Sequence, residues 1–200
     1  MSFPIEVYML KFLKEHSYDA VKLFVTQCAI SIFGLVLSLA CVLAENDTLK
    51  IFCSVFAILF YLFLLYTSMW EKGSKDHIAV EYGRKDYQPF LGLKVSLLAN
   101  SLNLLLAVLL TIGAIASQGS ALANMGDNCR SIAVLLQGMY TGLLSLPGGG
   151  AEHLNQLWFM YWLIPLPAML ISTLGYYFGV KNIKFTKFFD AKPPRQDGES

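Results

Sequence analysis

The sequence predicts an all-α integral membrane protein with four transmembrane helices and a short re-entrant or interfacial helix between the third and fourth. Three observations carry that expectation. Apolar residues make up 56% of the 200-residue chain and charged residues only 14%, against about 25% charged in a soluble domain that must cover its surface with water-binding groups. Four stretches of 20 to 24 residues hold no charge: 23–44, 51–70, 95–116 and 157–180. Of fifteen Lys and Arg, all but Lys50 and Arg130 fall on one side when those stretches are threaded through a membrane in turn.

The first element, 1–22, reads as an amphipathic helix lying in the cytoplasmic interface. Ile5, Tyr8, Met9, Phe12 and Leu13 recur at helical spacing opposite Glu6, Lys11, Lys14 and Glu15, a pattern suited to a headgroup boundary. Pro4 is tolerated in a first turn. The first apolar run follows these charges and is long enough to span, so no cleavable signal peptide is expected.

Spans one to four are then 23–44, 51–70, 95–116 and 157–180. As helices rising 1.5 Å per residue they match a hydrocarbon core about 30 Å thick. Backbone in hydrocarbon must satisfy its own hydrogen bonds, which selects helix. A fifth apolar run, 132–146, would reach only about 22 Å and is interrupted by Gln137, Gly138, Thr141 and Gly142. It is assigned to an extracytoplasmic segment, 117–156, as the re-entrant or interfacial helix, with Pro147 and Gly148 to Gly150 closing it. The loop 71–94 and the tail 181–200 carry most of the remaining basic residues. By the positive-inside rule both termini are cytoplasmic, whereas a fifth span would put the basic tail outside. Pro193, Pro194 and Gly198 mark a disordered end. The multi-pass pattern with short outer loops suits a bacterial inner membrane.

Small and polar residues within the spans indicate how helices meet. Lipid offers no hydrophobic drive for helices to pair, so contact comes from close approach and hydrogen bonds. Gln27, Ser31, Gly34, Ser38 and Cys41 share one face of the first span, and Gly175 and Gly179 form a G-x-x-x-G step in the fourth. That step serves intramolecular packing or a homo-oligomer. The third span carries a stripe of Ser96, Asn100, Asn103, Ala107 and Thr111. Amides in hydrocarbon need partners, so the stripe is expected to meet the Gln27–Ser38 face or to line a polar path. Pro165 and Pro167 are expected to kink the fourth span.

Reactive side chains concentrate in the loop 71–94. Ser74 is placed to cap a short helix ending near Gly83. Asp76, His77, Glu81 and Arg84 would then form a cytoplasmic cluster able to serve as acid and base on a lipid or prenyl headgroup. Mixed charge beside a membrane and i,i+4 pairs on a helix surface are the ordinary alternative. No Gly-x-Ser-x-Gly elbow, thiol pair or multi-aspartate phosphotransfer motif occurs, and no catalytic residue, cofactor or metal is assigned. Cys28, Cys41, Cys53 and Cys129 have no C-x-x-C or Cys/His spacing and read as small packing residues. With a net charge of +1 the chain has no basic footprint for nucleic acid. The expected partners are the lipid bilayer and a membrane protein or second copy. The sequence thus points to a non-enzymatic component of a membrane transport, channel or assembly complex; the alternative is a membrane-embedded enzyme acting on a lipid or prenyl headgroup at the cytoplasmic face.

Overall fold

The computed structural model describes residues 5–44, 46–116, 119–144 and 158–183. Among them the chain is all-helical, without strands. Three helices are long and apolar enough to cross a membrane, and a bent pair, Leu91–Ala99 with Ser101–Ile115, makes a further candidate. The expected Pro147 to Gly150 hinge and most of the basic tail lie outside the described residues.

Helix α1 runs unbroken over Ile5–Leu43, 39 residues or about 58 Å. No Gly or Pro occurs between residues 5 and 33, so nothing in the backbone marks a boundary at residue 22. Its buried residues are His16, Ala20, Leu23, Gln27, Ile30, Ser31, Gly34, Ser38 and Cys41, spaced by three and four along one seam. The amphipathic segment and the first apolar stretch therefore pack as one helix.

Helix α2 covers Asp47–Glu81, with Asn46 Oδ1 accepting from Leu49 N at 3.0 Å as its N-cap. The helix expected to start at Ser74 is the continuation of this one. Gly73 lies inside it and reads as a breaker in sequence, but its missing Cβ is needed for packing: a side-chain carbon there would meet the Tyr176 carbonyl and Gly179. The end falls where the sequence puts it. Gly83 adopts φ 66°, and Gly83 N and Arg84 N donate to Val80 O and Ala79 O at 3.0 and 2.8 Å, a Schellman stop.

Helices α3, Leu91–Ala99, and α4, Ser101–Ile115, meet at Asn100 with a 56° bend. Asn100 Nδ2 donates to Ser96 O at 2.9 Å, the same carbonyl its backbone N–H uses. Such side-chain competition for a ladder carbonyl bends helices. The prolines act more gently. Between α7, Met160–Leu163, and α8, Pro165–Val180, Ile164 keeps helical dihedrals of −56° and −42°, and Pro165 stands at a helix start where its lost N–H matters least.

The expected helix 132–146 is redrawn. Helix α5 covers Ala121–Leu136, capped by Ser120 Oγ accepting from Ala123 N at 3.2 Å. A 3-10 turn, Gly138–Tyr140, and a single turn α6, Thr141–Leu144, follow. The break falls at Gln137, in the middle of the apolar run. Helical propensity over 121–131 extends the helix backwards into polar sequence, which hydropathy alone assigns to loop.

Two apolar clusters hold the bundle. One joins α1, α2, α3 and α8 around Tyr61, Leu65, Met69, Val95 and Tyr176; the other joins α4, α5 and α7 around Leu110, Ala133 and Tyr161. The bend at Asn100 passes the chain from the first to the second. Outside, Val25, Ile32, Phe52, Phe63, Leu105 and Leu170 are exposed, while Gln27, Ser31, Asn100, Asn103, Gln137 and Ser172 are buried. Apolar exterior with polar interior reverses the arrangement of a water-soluble domain and fits a bilayer surround.

Candidate functional site

A buried polar cluster is built where α5 stops inside the bundle. A helix end leaves carbonyls without intrahelical donors, and here α1 supplies them. Gln27 Nε2 donates to Leu136 O at 3.1 Å, and Ser31 Oγ donates to Leu135 O. Ser31 Oγ in turn accepts from Gly138 N at 2.6 Å. Gly34, one turn on, has no Cβ to hold off the Met139 backbone, so the turn after the break settles directly on α1.

The network continues into the bent helix pair. Asn103 Nδ2 donates to Gln27 Oε1 and to Asn100 Oδ1, both at 3.0 Å, and Asn100 reaches Ser96. A relay of amides and hydroxyls thus runs from Ser96 through Asn100, Asn103 and Gln27 to the end of α5. Helices α1, α5 and the bent α3–α4 pair, which would slide past one another on apolar contacts, are fixed in register by it.

The cluster is not saturated. Gln137 is 2% exposed, yet neither its Nε2 nor its Oε1 has a hydrogen-bond partner among the described residues, and Asn103 Oδ1 is likewise unpaired. A buried amide without partners costs roughly 1–3 kcal/mol. The site therefore combines a fixed relay with unused donors and acceptors beside it, and holds no ionisable group.

Other sequence candidates distribute elsewhere. Thr111 Oγ1 donates to Ala107 O at 2.7 Å and accepts from Trp162 Nε1 at 3.0 Å, tying α4 to α7 rather than to α1. Ser38 lies buried on the same seam as Gln27 and Ser31. Gly175 and Gly179 face α2: a Cβ on Gly175 would stand 2.6 Å from Tyr66 O, and one on Gly179 would strike Trp70 O and Gly73.

The four candidate residues of the cytoplasmic cluster, Asp76, His77, Glu81 and Arg84, do not converge. Asp76 turns inward, accepting from Tyr176 Oη at 3.0 Å and Lys85 Nζ at 2.9 Å. His77 pairs with Glu81 along the helix at 3.7 Å, and the Arg84 guanidinium lies 5.9 Å from the Tyr82 ring centre. No group of three metal-ligating side chains forms among the described residues. Asp76 instead latches the end of α8 and the start of the loop onto α2.

Sequence reading missed the charged end of α1. His16 is buried beside Asp19, 3.8 Å away, and Asp19 binds Lys72 Nζ at 2.9 Å. Both lie outside the charge-free stretches. Burial chiefly, with the nearby Lys72 and Lys85 charges, pushes the His16 pKa below its usual value, against Asp19 and Glu15. The signal was available: His16, Ala20 and Leu23 extend the Gln27 seam at the same spacing.

The chain matches no family model, no curated protein and no solved structure.

Proposed function

We propose that this chain is a four-pass membrane protein, both termini cytoplasmic, acting as a non-enzymatic component of membrane transport, with its polar interior lining the route of a small neutral solute. The Gln137 carboxamide carries this reading: it is buried at a helix break with donor and acceptor both unused. Broken helices whose freed backbone lines a cavity are the usual way irregular chain is tolerated at membrane depth. In this reading the bent α3–α4 pair is the third span and the chain from α5 through α6 is re-entrant. That path is supported by the contacts of Leu135 to Met139 with the Gln27–Gly34 stretch of α1.

The chemistry narrows the solute. Amides and hydroxyls offer both donors and acceptors but no counter-charge, so a neutral hydrogen-bonding molecule suits them better than an ion. Absence of Asp, Glu, Lys, Arg and His within the four apolar stretches also removes the usual element of proton coupling. Movement would be passive.

The test is stopped-flow swelling of proteoliposomes challenged with glycerol or urea. Protein-containing vesicles should admit one of these faster than empty vesicles, and Gln137→Leu should return the rate to the empty-vesicle value while the protein remains folded. Equal rates with and without protein for both solutes would overturn the reading.

A further inference from the structure

A second feature lies at the charged ends of α1 and α2 and does not depend on solute passage. A cleft of about 290 Å³ opens there between the two helices. Its floor is Leu23 and Met69 and its walls include Lys22, Lys72, Lys75, Asp19 and Glu71. Leu23 begins one charge-free stretch and Trp70 ends the other, so the cleft straddles the apolar boundary on both helices at once. With those stretches threaded through a bilayer, this boundary would lie at the depth of the lipid phosphates.

The charges in it are unequal. Lys72 Nζ is committed to Asp19 at 2.9 Å, whereas Lys22 and Lys75 share the single Glu71 carboxylate at 3.4 and 2.8 Å. Two ammonium groups on one carboxylate leave one positive charge over. The side chains of Lys22 and Lys75 are 43% and 72% exposed, free to turn toward an incoming anion. Basic pockets between membrane helices on the cytoplasmic side are suited to anionic headgroups.

We propose that this cleft holds the phosphodiester headgroup of an anionic lipid, with Lys22 and Lys75 on the phosphate and an acyl chain descending past the apolar floor. Glu71 then acts as the competitor that the phosphate displaces. A purely structural ion-pair cluster and a lipid site respond oppositely to loss of Glu71. In the first, Glu71→Gln weakens the helix pair and gains nothing; in the second it frees both lysines for lipid.

The experiment is native mass spectrometry of the detergent-purified protein titrated with phosphatidylglycerol, phosphatidylcholine or inorganic phosphate. The wild type should retain phosphatidylglycerol in preference to phosphatidylcholine. Lys22→Gln with Lys75→Gln should weaken phosphatidylglycerol binding roughly tenfold, and Glu71→Gln should strengthen it. Lys75→Gln alone, at the most exposed position, gives the same direction should the double variant unfold. Unchanged phosphatidylglycerol binding in the lysine variants, or weaker binding in Glu71→Gln, would overturn the proposal. So would inorganic phosphate binding that depends on these lysines without any preference for phosphatidylglycerol, which would make the cleft a site for soluble anions.

Discussion

Two helix crossings in this bundle are built on opposite plans. Where α2 meets α8, glycines on both sides bring backbones together: Gly73 and Gly179 face each other, and Gly175 lies on the Tyr66 carbonyl. Apolar side chains from Tyr61 to Met69 fill the rest. Where α1 meets the end of α5, contact is made instead by Gln27 and Ser31 reaching broken-helix carbonyls, with Gln137 buried and unpartnered alongside. The first crossing gains dispersion from closeness, and the one orphan on that face of α8 is a small hydroxyl, Ser172 Oγ, buried without a partner among the described residues. The second holds register through hydrogen bonds and retains an amide that lowers stability. Closeness serves the fold; the unsatisfied polarity is the signature expected of function.

Substitutions at the two crossings should therefore differ in size and in sign. The largest effect belongs to Gly179→Leu. Its side chain would be driven into the Trp70 carbonyl and Gly73, and thermal unfolding in detergent should show a loss of about 3 kcal/mol or more. A Gly179→Leu protein as stable as wild type would mean that α2 and α8 do not cross as described.

Gln27→Leu comes next. It strips the Leu136 carbonyl of its side-chain donor and leaves Asn103 Nδ2 with Asn100 Oδ1 alone, for an expected loss of about 1 to 2 kcal/mol in the same assay. Gln137→Leu should break the pattern, being neutral or stabilising by up to about 1 kcal/mol because it removes a buried amide that has no partner. Its cost should appear in glycerol or urea entry alone. A destabilised Gln137→Leu would show that this amide is part of the scaffold, like Gln27.

The smallest effect is a pH dependence at His16. Its folded pKa lies below the unfolded value, near 6.5. Both states are neutral at higher pH, so His16 contributes no slope there. As pH falls below about 6.5 the unfolded chain takes up the proton first, and stability declines until the folded pKa is passed. Melting temperatures at pH 7.5 and 5.5 should differ more for wild type than for His16→Gln. Equal differences would place His16 in contact with water or a carboxylate that neutralises its charge.

Much of this architecture is legible in the sequence, and the rest fails for identifiable reasons. Charge-free runs reveal long helices because removing a charge from water is prohibitive, and the seam of α1 follows from simple spacing. Gly175 and Gly179 of α8, which share a face by their spacing, lie against the Tyr66 and Trp70 carbonyls of α2. Gly73 does not read as a close-packing position, since the same residue that breaks an isolated helix is demanded where two backbones touch. The bend at Asn100 is invisible to any rule that looks for proline, because it comes from one side chain competing for a carbonyl. The break at Gln137 sits within an apolar run and depends on Gln27 and Ser31, more than a hundred residues away in sequence. Polar partners that distant cannot be paired from one sequence, although each member of the relay stands out there as a polar residue on a helix face.

The central claim is that the α1–α5 crossing borders a polar route whereas the α2–α8 crossing is sealed. Cysteine accessibility tests this most directly. In a background with Cys28, Cys41, Cys53 and Cys129 replaced by serine or alanine, single Gln137→Cys and Leu65→Cys variants are reconstituted in vesicles and exposed to a small water-soluble methanethiosulfonate. Both positions are at most 2% exposed. Rapid modification at 137 with none at 65 is the predicted result. Equal inertness at both sites would show that the polar interior is closed and would contradict the account.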